Sequence, residues 1–212
     1  ILTNINTSLY SLQMSSLFGG TVKSHLLNEY MTNDSQLVNI ITPGSYKNIF
    51  ISGKDLDGKD LNLSKNWILQ SFSRDPASNN QAIIYKYEVF PDRFIYKNFT
   101  FYDNSYIIDV SVDLTSISQD IYRDVFFGWA GGLPTTEKNT KDDFSYFNSY
   151  VYQGGELENL KTGSKQREEY KYNGQSEWVA TRTKYFAAAI IPDSPEKIRS
   201  VILGGQIDPL ET

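Results

Sequence analysis

Strict alternation over residues 106–114 restricts this chain more than any other feature. Tyr106, Ile108, Val110, Val112 and Leu114 take one parity, and Ile107, Asp109, Ser111 and Asp113 take the other. Successive side chains of an extended strand point to opposite faces, so a period of two predicts a strand with one face in a core and one in water. The preceding run, 94–102, is rich in aromatic residues, and Asp103-Asn104-Ser105 supplies residues that tolerate a tight turn. The two runs read as a hairpin. A half-buried hairpin needs partners, and the 15 Tyr and 12 Phe, set among Ile, Val, Thr and Ser, are side chains that pack well on a pleated surface.

Further strands are expected at 8–14 and 21–30, joined through Phe18-Gly19-Gly20, where paired glycines permit a bulge or sharp connection. Residues 83–90 form another, stopped at Pro91. The polar segment 52–60 reads as a solvated turn, because Asp55, Asp57 and Asp60 lack the following acidic ligand of a calcium-binding loop. Residues 121–129 read as a strand that ends at Ala130-Gly131-Gly132-Leu133-Pro134. The segment 135–143, polar and without periodicity, reads as a loop. Runs 146–152 and 156–160 flank Gly154-Gly155 as a bent strand pair, and 162–171, with charges of both signs, reads as an exposed edge or loop. Residues 177–192 fit either a strand pair or a short helix, and their aromatics and terminating Pro192 favour strands. Only 194–199 resembles a helix start, with Ser194 followed by Pro195. The expected fold is therefore all-β with minor α, in one domain over 1–212.

The formal charge of −5 and the absence of a basic stripe argue against nucleic acid as a partner, since that affinity comes from Lys and Arg neutralising phosphates. There is no cysteine for a disulfide, a thiolate nucleophile or a thiolate metal site. No apolar run reaches the roughly 18 to 20 residues needed to cross a bilayer. The chain begins Ile1-Leu2-Thr3-Asn4 and ends Pro209-Leu210-Glu211-Thr212, and it is expected to be a soluble piece of a longer polypeptide.

The lone histidine, His25, shares a strand face with Lys23, opposite Val22, Ser24 and Leu26, if alternation runs unbroken. That predicts an exposed, inert side chain without the partners of a catalytic triad or metal cluster. Nucleophile-elbow and phosphate-cradling motifs are absent. Asp142-Asp143 and Glu168-Glu169 could be put forward as glycosidase acids. Adjacent acids on a strand point apart, however, and 25 acidic residues supply accidental pairs. No catalytic residue, metal ligand or cofactor is nominated.

Four strings carry a family resemblance. Trp129-Ala130-Gly131-Gly132-Leu133 resembles the tryptophan and glycine-leucine turn of the periplasmic domain of YidC-type membrane protein insertases of Gram-negative bacteria. The run from Glu177 through Trp178 and Lys184-Tyr185-Phe186 to Pro192 is similar to that domain's late signature, a tryptophan, a basic residue before Tyr-Phe, and small apolar residues up to proline. Residues 18–30 and 106–110 resemble its first glycine-containing strand and its central one.

The resemblance implies a large twisted β-sandwich (supersandwich), galactose-mutarotase-like in outline, stopping before the family's final strands and the next membrane span. It implies a non-catalytic domain at the inner membrane, facing the periplasm, in a protein that inserts and folds inner-membrane proteins alone or with the Sec translocase. The implied partners are that translocase with its accessory subunits, and nascent inner-membrane proteins held mainly by parts outside this span. Trp129, Gly132, Trp178, Tyr185, Phe186 and Pro192 are expected to be structural: the tryptophans and Phe186 as core anchors, Gly132 as a turn, Pro192 as a strand end. The rival reading is a carbohydrate-binding or mutarotase-like β-sandwich module.

Overall fold

The computed structural model describes residues 1–44, 48–161 and 167–206. The chain divides into two compact units, one comprising Ile1–Met31 and Leu37–Gly131, the other Thr32–Gln36 and the chain from Gly132 onward. Among the described residues the strands form three four-stranded and two two-stranded antiparallel sheets. The fold is all-β and sandwich-like.

In the first unit β1 (Leu2–Asn6), β2 (Tyr10–Ser15), β3 (Thr21–Met31) and β4 (Leu37–Asn39) make one sheet in sequence order. The two-stranded ribbon pairs β5 (Phe50–Ser52) with a later strand. A second four-stranded sheet runs β6 (Ile68–Arg74), β7 (Gln81–Phe90), β8 (Arg93–Phe101) and β9 (Ile108–Asp113). One 3-10 turn, Thr115–Ile117, follows it, and β10 (Phe126–Gly128) then pairs with β5. The predicted strand at 121–129 is thus shortened to three residues, with Ile121 making only an isolated bridge to Asp55.

The two large sheets face each other. Ile5, Tyr10, Leu12, Met14 and Val22 from one, and Ile83, Tyr85, Ile95, Phe99 and Phe101 from the other, are buried. Alternation along β8 places Ile95, Phe99 and Phe101 inward, and on β9 it leaves Asp109, Ser111 and Asp113 exposed, as the period of two requires. Gln81 ties the sheets together at one end, its side-chain amide donating to the Asn6 carbonyl at 2.7 Å.

The second unit holds α1 (Thr140–Phe144), β11 (Asn148–Gln153), β12 (Glu156–Lys161), β13 (Glu168–Asn173), β14 (Trp178–Arg182), β15 (Ala187–Ile190) and β16 (Ser200–Gly205). One sheet has the order β12-β11-β14-β15, and β13 pairs with β16. Val151, Leu160 and Leu203 are buried together, with Tyr172, Val179 and Val201 packed around them. The hairpin across Gly154-Gly155 and the strand pair within 177–192 are both present. Part of the charged segment 162–171 lies outside the described residues, and its remainder enters β13.

The expected loop at 135–143 contains the start of α1. The signal is Asn139, whose side chain accepts from the Asp142 amide at 3.3 Å and so satisfies one of the donors every helix start leaves bare.

Candidate functional site

The late signature is a hairpin with an anchored turn. Thr183 donates its amide to the Phe186 carbonyl at 2.8 Å, closing a loop of Lys184 and Tyr185 between β14 and β15. Asp143 of α1 is fully buried. Its carboxylate accepts the Thr136 amide at 3.0 Å and the Lys184 amide at 3.2 Å. The Lys184 ammonium donates to the neighbouring Asp142 carboxylate at 2.7 Å, which raises its pKa. Two adjacent acids thus hold the backbone and the side chain of one signature lysine. Replacing Asp143 with Ala would leave two amides without an acceptor. The expected loss is about 2 kcal/mol, read by chemical unfolding, and an Asp142→Ala loss as large as that of Asp143→Ala would contradict it, because the Asp142 pair is more exposed.

The structure places the other signature residues as follows. Trp178 opens β14, half-buried, and stacks on Tyr152 of β11 with ring centroids 5.7 Å apart and planes 16° from parallel. Phe186 and Pro192 are half-buried, one before and one just beyond β15, whereas Tyr185 is 61% exposed at the turn. Trp129 is half-buried just after β10. Gly132 has φ +61°, with open space where a Cβ would stand, so its role is conformational.

The first unit contains two buried groups that the alternation reading missed or misplaced. His25 is 6% exposed, not on the wet face. Leu12 pairs with His25 and Gln13 with Ser24, but Met14 pairs with Val22, so Lys23 is an extra residue in β3 and the parity reverses there. His25 packs against Tyr10 at 4.6 Å between ring centroids, and its Nε2 has no hydrogen-bond partner among the described residues. Burial lowers its pKa to about 4. A buried neutral imidazole is poorly placed to serve as an acid toward a sugar ring.

Lys97 is fully buried on β8, between Ile95 and Phe99 in the inward-facing register. Its ammonium donates to the Ile49 carbonyl at 2.6 Å, and burial pulls its pKa down to about 7. Ile49 itself sits at φ +59°, an uncommon conformation for a β-branched residue. The adjacent Asn48 accepts the Val22 amide at 2.7 Å and donates to the Val22 carbonyl at 2.8 Å. These bonds fasten the segment before β5 between the two sheets, and all of them serve the fold.

In the 52–60 turn the Asp55 carboxylate accepts the amides of Asp57 and Lys59 at 3.0 and 2.8 Å, capping its own turn. Asp142 and Asp143 are engaged as described, and Glu168 and Glu169 lie on β13, half-buried and exposed in turn. Among the described residues no group of three or more His, Cys, Asp or Glu is disposed to hold a metal ion, and no helix is long and apolar enough to cross a membrane.

The model of the YidC periplasmic domain family matches residues 2–206. Among curated proteins, the membrane protein insertase YidC of Prosthecochloris aestuarii is 30% identical over 97% of this chain and 36% of its own length. That of Pelodictyon phaeoclathratiforme is 30% identical over 90% of the chain and 34% of its own length. That of Chlorobium luteolum is 31% identical over 97% of the chain and 36% of its own length. The chain therefore spans about a third of the relatives it matches. With a match that runs through both units and takes in the Trp129–Leu133 turn and the anchored hairpin, the chain belongs to the YidC periplasmic domain family.

Proposed function

We propose that this chain acts as a non-catalytic, contact-making domain of a membrane protein insertase, on the periplasmic side of the inner membrane, in a protein that inserts and folds inner-membrane proteins alone or beside the Sec translocase. The observation that carries this reading is the family match over 2–206, with relatives named as membrane protein insertases. Three buried groups have partners within the fold: His25 packs on Tyr10, Lys97 donates to the Ile49 carbonyl, and the Asp143 carboxylate accepts the Lys184 amide at the turn. Insertion itself is assigned to the parts of the parent protein beyond this span, and the domain's work to weak protein contacts, including those with accessory subunits of the Sec translocase.

The test is co-purification from membranes. The parent protein, tagged outside this span, is compared with a version from which residues 2–206 are excised in frame. Recovery of the Sec accessory subunits is expected to fall at least about tenfold on excision, equivalent to about 1.4 kcal/mol of binding. Equal recovery would remove the contact role.

A further inference from the structure

Resting on that contact reading, we propose that the outer edge of β15 is a strand-addition site for an extended, apolar segment of a partner chain. β15 is the last strand of its sheet, with β14 on one side only. Its register with β14 is unbroken from Arg182–Ala187 to Val179–Ile190. Because Thr183 and Phe186 form the hydrogen-bonded pair at the turn, alternation makes Ala187 and Ala189 members of non-hydrogen-bonded pairs. Their N–H and C=O groups therefore point away from β14. Among the described residues neither takes a hydrogen bond from any other element, and both residues are exposed.

A free edge of this kind is normally blunted by charge, a bulge or proline. Several other edges are guarded: β9 carries Asp109 and Asp113, β12 carries Glu156, Glu158 and Lys161, and β6 is broken by a register shift between Leu69 and Ser71, whereas β4, β5, β10 and β16 are uncharged like β15. β1 presents Asn4 and Asn6. From Tyr185 to Pro192 there is no charged residue, and the apolar side chains of Tyr185 and Ile191, 61% and 71% exposed, bracket the strand. The turn is also held in place by Asp142 and Asp143, so the edge is organised before anything binds.

These features select the occupant. Unpaired backbone groups in strand geometry accept another extended backbone, and the uncharged flank favours apolar side chains at alternate positions of that strand. A second folded copy is disfavoured, because a four-residue edge falls well short of the roughly 800 Å² a side that a stable pair of folded proteins buries.

The experiment uses the full-length parent protein in lipid nanodiscs and, as probe, a short fluorescent peptide of alternating Val and Thr. Ala189→Pro removes an outward N–H without touching the ladder to β14, a position where an edge strand tolerates proline. Binding is expected to weaken about tenfold in Ala189→Pro and in Ala187→Lys, with unfolding midpoints close to those of the unsubstituted protein. Peptide binding that is absent, or unaffected by both substitutions, would overturn the proposal. So would slow hydrogen exchange at Ala187 and Ala189 without peptide, which would mean that the parent chain or a second copy already covers the edge. In either case, continued loss of Sec subunits on excising 2–206 would leave the broader contact reading standing and sink only the strand-addition site.

Discussion

Gly20→Ala is expected to lower the stability of the 212-residue chain by about 4 kcal/mol, the largest single-residue effect in the first unit. A Cβ at Gly20 would stand 2.6 and 2.7 Å from ring atoms of Tyr85 and 2.9 Å from Phe99. Neither ring has room to retreat: Tyr85 is 0% and Phe99 1% exposed, and they meet edge to face at 6.2 Å. Overpacking of this kind costs about 1–3 kcal/mol. The φ of +91° adds the penalty an L-residue pays in left-handed backbone, about 1–2 kcal/mol. Gly58 separates the two contributions, because it has φ +80° but nothing within 4 Å of its Cβ position. Gly58→Ala should therefore cost only about 1 kcal/mol. Urea unfolding followed by tryptophan fluorescence measures both, and equal losses in the two variants would contradict the packing argument.

Stability should also climb with pH in two separate windows. His25 has its pKa lowered from 6.5 to about 4 and Lys97 from 10.5 to about 7, both by burial. In each case the unfolded chain binds the proton more readily than the folded one, so stability rises with pH between the two values. For His25 stability is lost as pH falls from 6.5 through about 4, by roughly 3 kcal/mol when complete. For Lys97 stability is gained as pH rises above about 7 toward 10.5. The Ile49 carbonyl 2.6 Å away favours the ammonium and so opposes that gain. Urea midpoints measured across this range should keep the acid step but lose the alkaline rise in Lys97→Met, and lose the acid step in His25→Phe. A Lys97→Met profile that still rises above neutrality would contradict the assignment.

His25 shows where the sequence stops being readable. Counting by twos from Val22 puts it in water, and only the extra residue at Lys23, visible in the pairing of β2 with β3, turns it inward. A bulge leaves no local composition signal there, so register is decided by the partner strand. Lys97 was legible in principle, since it shares parity with Ile95, Phe99 and Phe101 on a strand the pattern predicts. Its charge hides it, because a lysine on an inward face is expected only when a carbonyl such as that of Ile49 is waiting for it. The β8–β9 hairpin and the bent β11–β12 pair are readable from alternation and turn residues, and aromatic content with Pro192 favours the strand pair seen as β14–β15. The pairing of β7 with β8 is not read from the sequence. Nor is the clamp on Lys184, because Asp143 and Lys184 are 41 positions apart and only the fold brings them together. Likewise the open edge of β15 depends on which strand ends the sheet, a property of topology and not of the string Ala187-Ala188-Ala189-Ile190.

The most direct measurement of the central claim is insertion itself. The parent protein, with and without residues 2–206, is reconstituted into proteoliposomes, and the rate of membrane integration of a small inner-membrane substrate is followed by protease protection. A non-catalytic contact domain predicts that the excised protein keeps at least about half of the rate. A loss of tenfold or more, equal to about 1.4 kcal/mol in the barrier, would place part of the insertion machinery inside this chain and contradict the claim.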